Sequence, residues 1–280
     1  MKVNYKLSLV PTTILILLAV WVLMSSFAQT GEWFQRSIEL RGGTLVTVTT
    51  DTSVSVGEVK DMLSESLGEV SVKETRGITG NGLIIQADSG VDPDQIIDSL
   101  KSVGVNVIEY SAQTIGPALG ESFWSQAQLA IVFAFVMMGI IVFLIFRTPV
   151  PSGAVILCAV SDIIITLGAL QVFGIELSLA GLAALLMLIG YSVDSDIMLT
   201  TRILRGTEDF MDRMKKAFKT GLTMSATTIA ALVALLVAGV SPVLSQIAIV
   251  LLIGLLTDLC LTWLQNATLL RWHMERKGVA

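Results

Sequence analysis

Charge is scarce in this chain, and so are the side chains on which most metal and nucleophilic chemistry depends. Asp, Glu, Lys and Arg make up 15% of the 280 residues, against about a quarter in an ordinary soluble domain. There is one histidine, His273, and there are two cysteines, Cys158 and Cys260. Both cysteines fall inside long apolar runs, which argues against a structural disulfide or a metal centre. A histidine-based triad or zinc site lacks partners, so neither cofactor, metal nor enzymatic activity is expected. An excess of positive charge is also missing: the formal net charge is −5, which leaves no footprint for nucleic acid.

Long hydrophobic runs are what the chain has instead. Mean hydropathy is +0.77 and 53% of residues are hydrophobic. The first run, about Leu7–Phe27, is long enough to span a bilayer. A cleavable leader competes for that segment, because Lys2 and Lys6 precede it and Ser26-Phe27-Ala28 resembles a cleavage site. Five further spans are predicted near Gln126–Phe146, Gly153–Phe173, Leu177–Thr200, Gly221–Val240 and Val243–Leu270. The longest connection carries Phe210, Met214 and Phe218 between charged residues, which predicts an amphipathic helix near 207–218 on the inner surface.

The 18 basic residues set the topology. Twelve lie at Lys2, Lys6, Arg147, the stretch Arg202–Lys219 and the tail from Arg271. Placing those four sites inside satisfies the positive-inside rule and makes both termini cytoplasmic. Residues 29–122 then lie outside, and with six basic and fourteen acidic residues they carry the acidity. Within them Thr44–Thr50, Val70–Arg76, Leu83–Ala87 and Val105–Tyr110 read as strands, the middle two joined through Gly77, Gly80 and the Asn81-Gly82 turn. Val54–Leu67 and a segment opening at Asp92-Pro93, ending with Val103 at Gly104, read as helices. The order β-α-β-β-α-β predicts an α+β ferredoxin-like domain. The division is 1–28 for the first span, 29–122 for the outer domain and 123–280 for the remaining spans.

Four acidic residues lie inside predicted spans without Lys or Arg at similar depth: Asp162, Asp194, Asp196 and Asp258. Each costs at least about 3 kcal/mol at the bilayer centre. At the helical rise, Asp194 is ~12 Å, Asp162 ~16 Å and Asp258 ~20 Å from the inner boundary. Asp194 and Asp196 are about 200° apart on a helix, so one neighbour can meet only one of them. Asp194 is the expected choice, being deeper and flanked by Gly190, Ser192 and Ser195. Lys219 and Thr220 begin the next span, and Thr223 to Thr227, ~6–12 Å further along the axis, reach the depth of Asp194 and could serve that carboxyl. The expected chemistry is reversible binding of a proton, with sodium as the open variant. The alternative is carboxyls that only glue helices together through hydrogen bonds.

Five short motifs resemble one family. Glu39-Leu40-Arg41-Gly42-Gly43-Thr44 resembles its paired-glycine motif, and Ile115-Gly116-Pro117-Ala118-Leu119-Gly120 the motif before its second span, whose inner end is Phe146-Arg147. Gly190-Tyr191-Ser192-Val193-Asp194 followed by Arg202 resembles its fourth-span signature. Gly239-Val240-Ser241-Pro242-Val243-Leu244 resembles a later turn. Together they resemble the SecF branch of the SecD/SecF protein-export membrane proteins, in its archaeal form. Where the bacterial signature has Asn then Asp, this chain has Asp194 then Ser195, and Lys219 stands nearest to a usual arginine.

The resemblance implies half of an RND-like unit of six membrane helices. It implies SecD as the other half and a SecY-containing translocon, a translocating polypeptide and membrane lipids as partners. It also implies coupling of late export to the proton gradient, with Asp194 or Asp196 in the proton role. The competing functions are a non-coupled translocon accessory and half of an exporter of small molecules. An intramembrane aspartyl protease is disfavoured, because Gly-x-Gly-Asp is missing around the membrane aspartates.

Overall fold

A computed structural model describes residues 8–50, 55–68, 70–77, 80–102, 104–207 and 209–276. Lys2, Lys6, Val54, residues 78–79 of the hairpin connection, Val103, Glu208 and residues 277–280 lie outside the described residues. The chain divides into two compact units, 36–128 and the combination of 1–35 with 129–280.

In the first unit, β1 (Gly43–Thr50), α3 (Val56–Leu67), β2 (Val70–Gly77), β3 (Gly80–Ala87), α4 (Pro93–Ser102) and β4 (Val107–Ile115) follow one another, after a short α2 (Ile38–Arg41). The strands assemble as β2-β3-β1-β4 with every neighbouring pair antiparallel. This is the split β-α-β order of a ferredoxin-like domain. Alternation along β1 sends Val46 and Val48 into the core, as a strand's twofold period requires. Val59 and Leu63 of α3 and Ile96, Ile97 and Leu100 of α4 close over them. Asp92 caps α4 through Oδ1 to Asp94 N at 3.1 Å, and Gly104 ends it at φ +82°, a left-handed conformation natural to glycine.

The paired glycines have a steric task. Gly42 has φ +87°, and a Cβ on it would lie 2.7 Å from Pro117 Cα. Gly43 has φ +143°, and its Cβ would lie 2.7 Å from Ala87 O. Gly120 packs back against the Gly42 and Arg41 backbone. The two motifs read separately in the sequence are thus one backbone-to-backbone contact. Gly116 has open space around it.

Among the described residues six helices are long and apolar enough to cross a membrane. They are α1 (Leu9–Thr30), α5 (Pro117–Phe146), α6 (Pro149–Val172), α7 (Leu179–Arg205), α8 (Phe210–Ala238) and the combination of α9 (Pro242–Leu261), a π-helical turn (Thr262–Asn266) and α10 (Ala267–Arg276). The helix holding the second span begins at Pro117, nine residues before Gln126. The segment expected as a separate surface helix is instead the first turns of α8. Prolines open α6 and α9, where a missing N–H costs nothing. Asp209 caps α8, accepting from Met211 N at 3.3 Å.

Helices α6, α7 and α9 pack mutually and form the buried centre, while α5 and α8 are exposed over most of their length. Glycines allow the close approaches. Gly254 of α9 receives the Leu188 side chain of α7, and Gly168 of α6 has Ala19 Cβ of α1 2.8 Å from where its own Cβ would stand.

Candidate functional site: buried carboxyls in the helical bundle

Each of the three central helices carries a polar stripe on its buried face, and the stripes meet. Helix α6 brings Cys158 and, one turn on, Ser161 and Asp162. Helix α7 brings Ser192 and Asp196, four residues apart, between Leu188 and Leu199. Helix α9 brings Asp258, and the π turn adds Thr262, Gln265 and Asn266. Ala267 N donates to Thr262 O in that turn, the i to i−5 pattern that recurs at functional sites. Relative exposure is 1% for Asp162, 0% for Asp196 and 1% for Asp258.

The hydrogen bonds link all three helices. Ser192 Oγ donates to Asp162 Oδ2. Asn266 Nδ2 donates to Asp196 Oδ1 at 2.7 Å. Thr262 Oγ1 lies 3.0 Å from Asp196 Oδ1 and 3.1 Å from Asp258 Oδ1. Gln265 Nε2 reaches Ser161 Oγ at 3.4 Å, and that hydroxyl donates to Leu157 O. Asp162 adjoins Asp258, and Cys158 adjoins Asp196.

Acceptors outnumber donors here. The hydroxyl of Thr262 has one proton to give and two carboxyl oxygens before it. Asp162 Oδ1, Asp196 Oδ2, Gln265 Oε1 and Asn266 Oδ1 are buried and have no partner among the described residues. Among the described residues no base forms an ion pair with any of the three carboxyls. Three dry carboxylates without a counterion would cost several kcal/mol each. Protons are the smallest species that convert surplus acceptors into donors. Among the described residues no three His, Cys, Asp or Glu converge as metal ligands.

Residues 95–276 match the family described as "Protein export membrane protein SecD/SecF, C-terminal". The "Protein-export membrane protein SecF" of Pyrococcus furiosus is 41% identical over 93% of this chain and 88% of its own length. The chain belongs to the SecF branch of the SecD/SecF family. The SecF of Methanocaldococcus jannaschii is 40% identical over 97% of this chain and 96% of its own. The crystal structure of SecDF from Thermus thermophilus, a translocon-associated membrane protein, has the same fold with a TM-score of 0.76 and 24% identity. That match covers 99% of this chain and 39% of the SecDF chain. The protein is therefore a multi-pass membrane protein of SecF type.

Within this SecF-type bundle the two neighbouring aspartates exchange the places expected of them. Asp194 is exposed on the surface of the chain and makes no hydrogen bond or ion pair with the described residues. Asp196 is the one at the centre. The 200° between them sends one inward and one outward, and Ser192, on the face of Asp196, decides which. The deeper position and the small neighbours of Asp194 were the wrong guide.

Thr223 and Thr227 are exposed too, and they do not serve a carboxyl. Thr223 Oγ1 donates to Lys219 O at 2.8 Å, and Thr227 Oγ1 to Met224 O at 2.8 Å and Thr223 O at 3.1 Å. Such back-bonding to the preceding turn satisfies the hydroxyl within its own helix. Lys219 is exposed at the start of this stretch. Tyr191 Oη stands 3.5 Å from Ser225 Oγ, a cross-helix contact of that polar run. Gly190 has open space around it, and Arg202 Nη1 donates to Lys216 O at 3.1 Å. Asp162 and Asp258 join Asp196 as expected membrane carboxyls; Thr262, Gln265 and Asn266 are additions. Their signal was in the sequence: Asp258, Thr262 and Asn266 recur every four residues on an otherwise apolar helix.

Proposed function

We propose that this chain works in protein export as the SecF-type half of a two-part membrane unit, and that protons taken up and released at Asp162, Asp196 and Asp258 drive it. The carrying observation is the meeting of three base-free buried carboxyls on α6, α7 and α9. A proton gained or lost there changes which hydrogen bonds hold the three helices together. At 100 mV a unit charge crossing the membrane supplies about 2.3 kcal/mol, enough to bias a two-state packing more than tenfold.

The other half is a SecD-type protein. Two features support it. The solved SecDF chain is more than twice as long as the part matched here. Asp194 and the Thr223, Thr227 face of α8 are exposed on helices that cross the membrane, and a carboxyl facing lipid is costly. A partner helix would cover them. The basic residues Arg147, Arg202, Arg205, Arg213 and Arg271 follow or precede spans in an alternating pattern that supports a cytoplasmic location for that end. Residues 36–128 then face outward, where an emerging polypeptide and a SecY-containing translocon would meet them. The chain has no catalytic role in this reading.

The test is export in cells whose own copy is replaced by Asp196→Asn or Asp258→Asn. Export should lose its dependence on the proton gradient while the protein still copurifies with the SecD-type partner. Normal gradient dependence in both variants would return the chain to a non-coupled accessory role.

A further inference from the structure

A second polar site lies at the other chemical extreme, where α7 ends and α8 begins. Helix α7 is 27 residues long, so Arg202 stands about 35 Å from Leu179 along the axis. That exceeds a hydrocarbon core of about 30 Å and puts the helix end at the membrane boundary. There Thr201, Arg202, Arg205, Gly206, Arg213 and Lys216 line a cleft of about 340 Å³.

The three arginines in this cleft have tasks that use only part of their capacity. Arg213 is 8% exposed and donates through Nη1 to Ile203 O and to Gly206 O at 3.1 Å. These bonds satisfy carbonyls that the end of α7 leaves free. Gly206 makes the crossing possible, because a Cβ there would collide with Arg213 Cδ. Arg202 donates through Nη1 to Lys216 O at 3.1 Å, and Arg205 through Nη2 to Ile145 O at 3.4 Å. A guanidinium carries five N–H donors on three nitrogens, and each of these three uses one nitrogen. Arg213 Nε is buried without a partner among the described residues. Among the described residues no carboxylate pairs with Arg202, Arg205 or Arg213, and Asp209 spends an oxygen on Met211 N.

We propose that this cleft binds a phosphate-bearing anion at the membrane boundary. Planar guanidinium forks match phosphate oxygens in pairs, and basic pockets between membrane helices take phospholipid headgroups. The chemistry is shared by an anionic lipid and by free phosphate. A lipid seated there would tie the α7–α8 hairpin to the inner leaflet under the topology proposed above. The cleft contains none of the three buried carboxyls, so the site stands or falls apart from proton coupling.

The experiment uses the full chain in nanodiscs of phosphatidylcholine, with and without phosphatidic acid, and separately with inorganic phosphate in chloride buffer. Thermal unfolding reads binding. Phosphatidic acid should raise the unfolding temperature saturably, and Arg205→Gln should weaken that effect about tenfold, as the loss of one charge-assisted contact requires. Arg205→Lys, which keeps the charge and loses the fork, should fall between them. Protection by lipid alone assigns the site to a headgroup; protection by inorganic phosphate as well assigns it to the phosphate group from either source. Equal protection of the wild type and both Arg205 variants, or none from either ligand, would overturn the proposal.

Discussion

Asn266 donates through Nδ2 to Asp196 Oδ1 over 2.7 Å, and this bond ties the π turn to the middle of α7. Its two ends are unequal. Asn266→Leu removes a donor from a buried carboxyl already short of donors and should destabilise the chain by about 2 kcal/mol. Asp196→Asn keeps the shape and supplies an amide that can donate to Asn266 Oδ1, which has no partner. Its stability should stay within about 0.5 kcal/mol of the wild type while proton-gradient dependence is lost. Denaturant unfolding in micelles, run beside export assays, checks both. If the second variant unfolds as readily as the first, the carboxyl serves packing and not exchange.

Thr262 carries the argument one step further. Its hydroxyl stands 3.0 Å from Asp196 and 3.1 Å from Asp258, so it can turn its single hydrogen bond to either side, accepting from whichever carboxyl is protonated. Thr262→Val keeps the volume and deletes the hydroxyl. It should cost about 1–3 kcal/mol of stability, because buried oxygens lose a partner, and it should slow gradient-driven export. Thr262→Ser should recover most of both. A serine variant no better than valine would mean that the methyl group, and not the hydroxyl, matters at this position.

The fold was legible because its signals are periodic. The twofold alternation of Val46 and Val48 and the helical spacing of Val59 and Leu63 fix the four-stranded sheet and its covering helix. Asp92-Pro93 and Gly104 mark both ends of α4. The site was half legible. That four carboxyls sit in spans is plain from the residues, and so is the impossibility of Asp194 and Asp196 sharing a face. Which of them turns inward depends on the rotation of α7 against α6 and α9. Close packing at Gly254 and the Ser192 bond to Asp162 set that rotation, and neither is local. Likewise the threonines of α8 look like donors in sequence, but their own helix already uses them.

Gly42 tests the unit of residues 36–128 alone. Its φ of +87° is expensive for any residue with a Cβ, at about 1–2 kcal/mol. Pro117 Cα, 2.7 Å from the position of that Cβ, adds a backbone collision. Gly42→Ala should therefore destabilise residues 36–128 by more than about 2 kcal/mol and leave the α6–α7–α9 packing alone. Hydrogen exchange on the full chain separates the two. Amides of β1 and β4 should lose protection while those of α6 and α7 keep it. Unchanged exchange in β1 would show that the chain bends around the added methyl group.

Asp194 offers the complementary test, since it is exposed and makes no hydrogen bond or ion pair among the described residues. Replacing a surface carboxyl that makes no contact changes the stability of an isolated chain little, so Asp194→Asn should unfold with the wild type in micelles. Its effect should appear only with a partner. If a SecD-type helix covers this face, a donor from that helix must meet the carboxyl, because an unpaired charge between packed helices is heavily penalised. Asp194→Asn should then weaken copurification with that partner, while Asp194→Leu, which cannot accept a hydrogen bond, should weaken it further. The order wild type, Asn, Leu in partner recovery, with equal stabilities of the three isolated chains, identifies the exposed face of α7 as the seam. Equal recovery of all three variants would instead leave Asp194 outside the interface and move the seam to another face of the bundle.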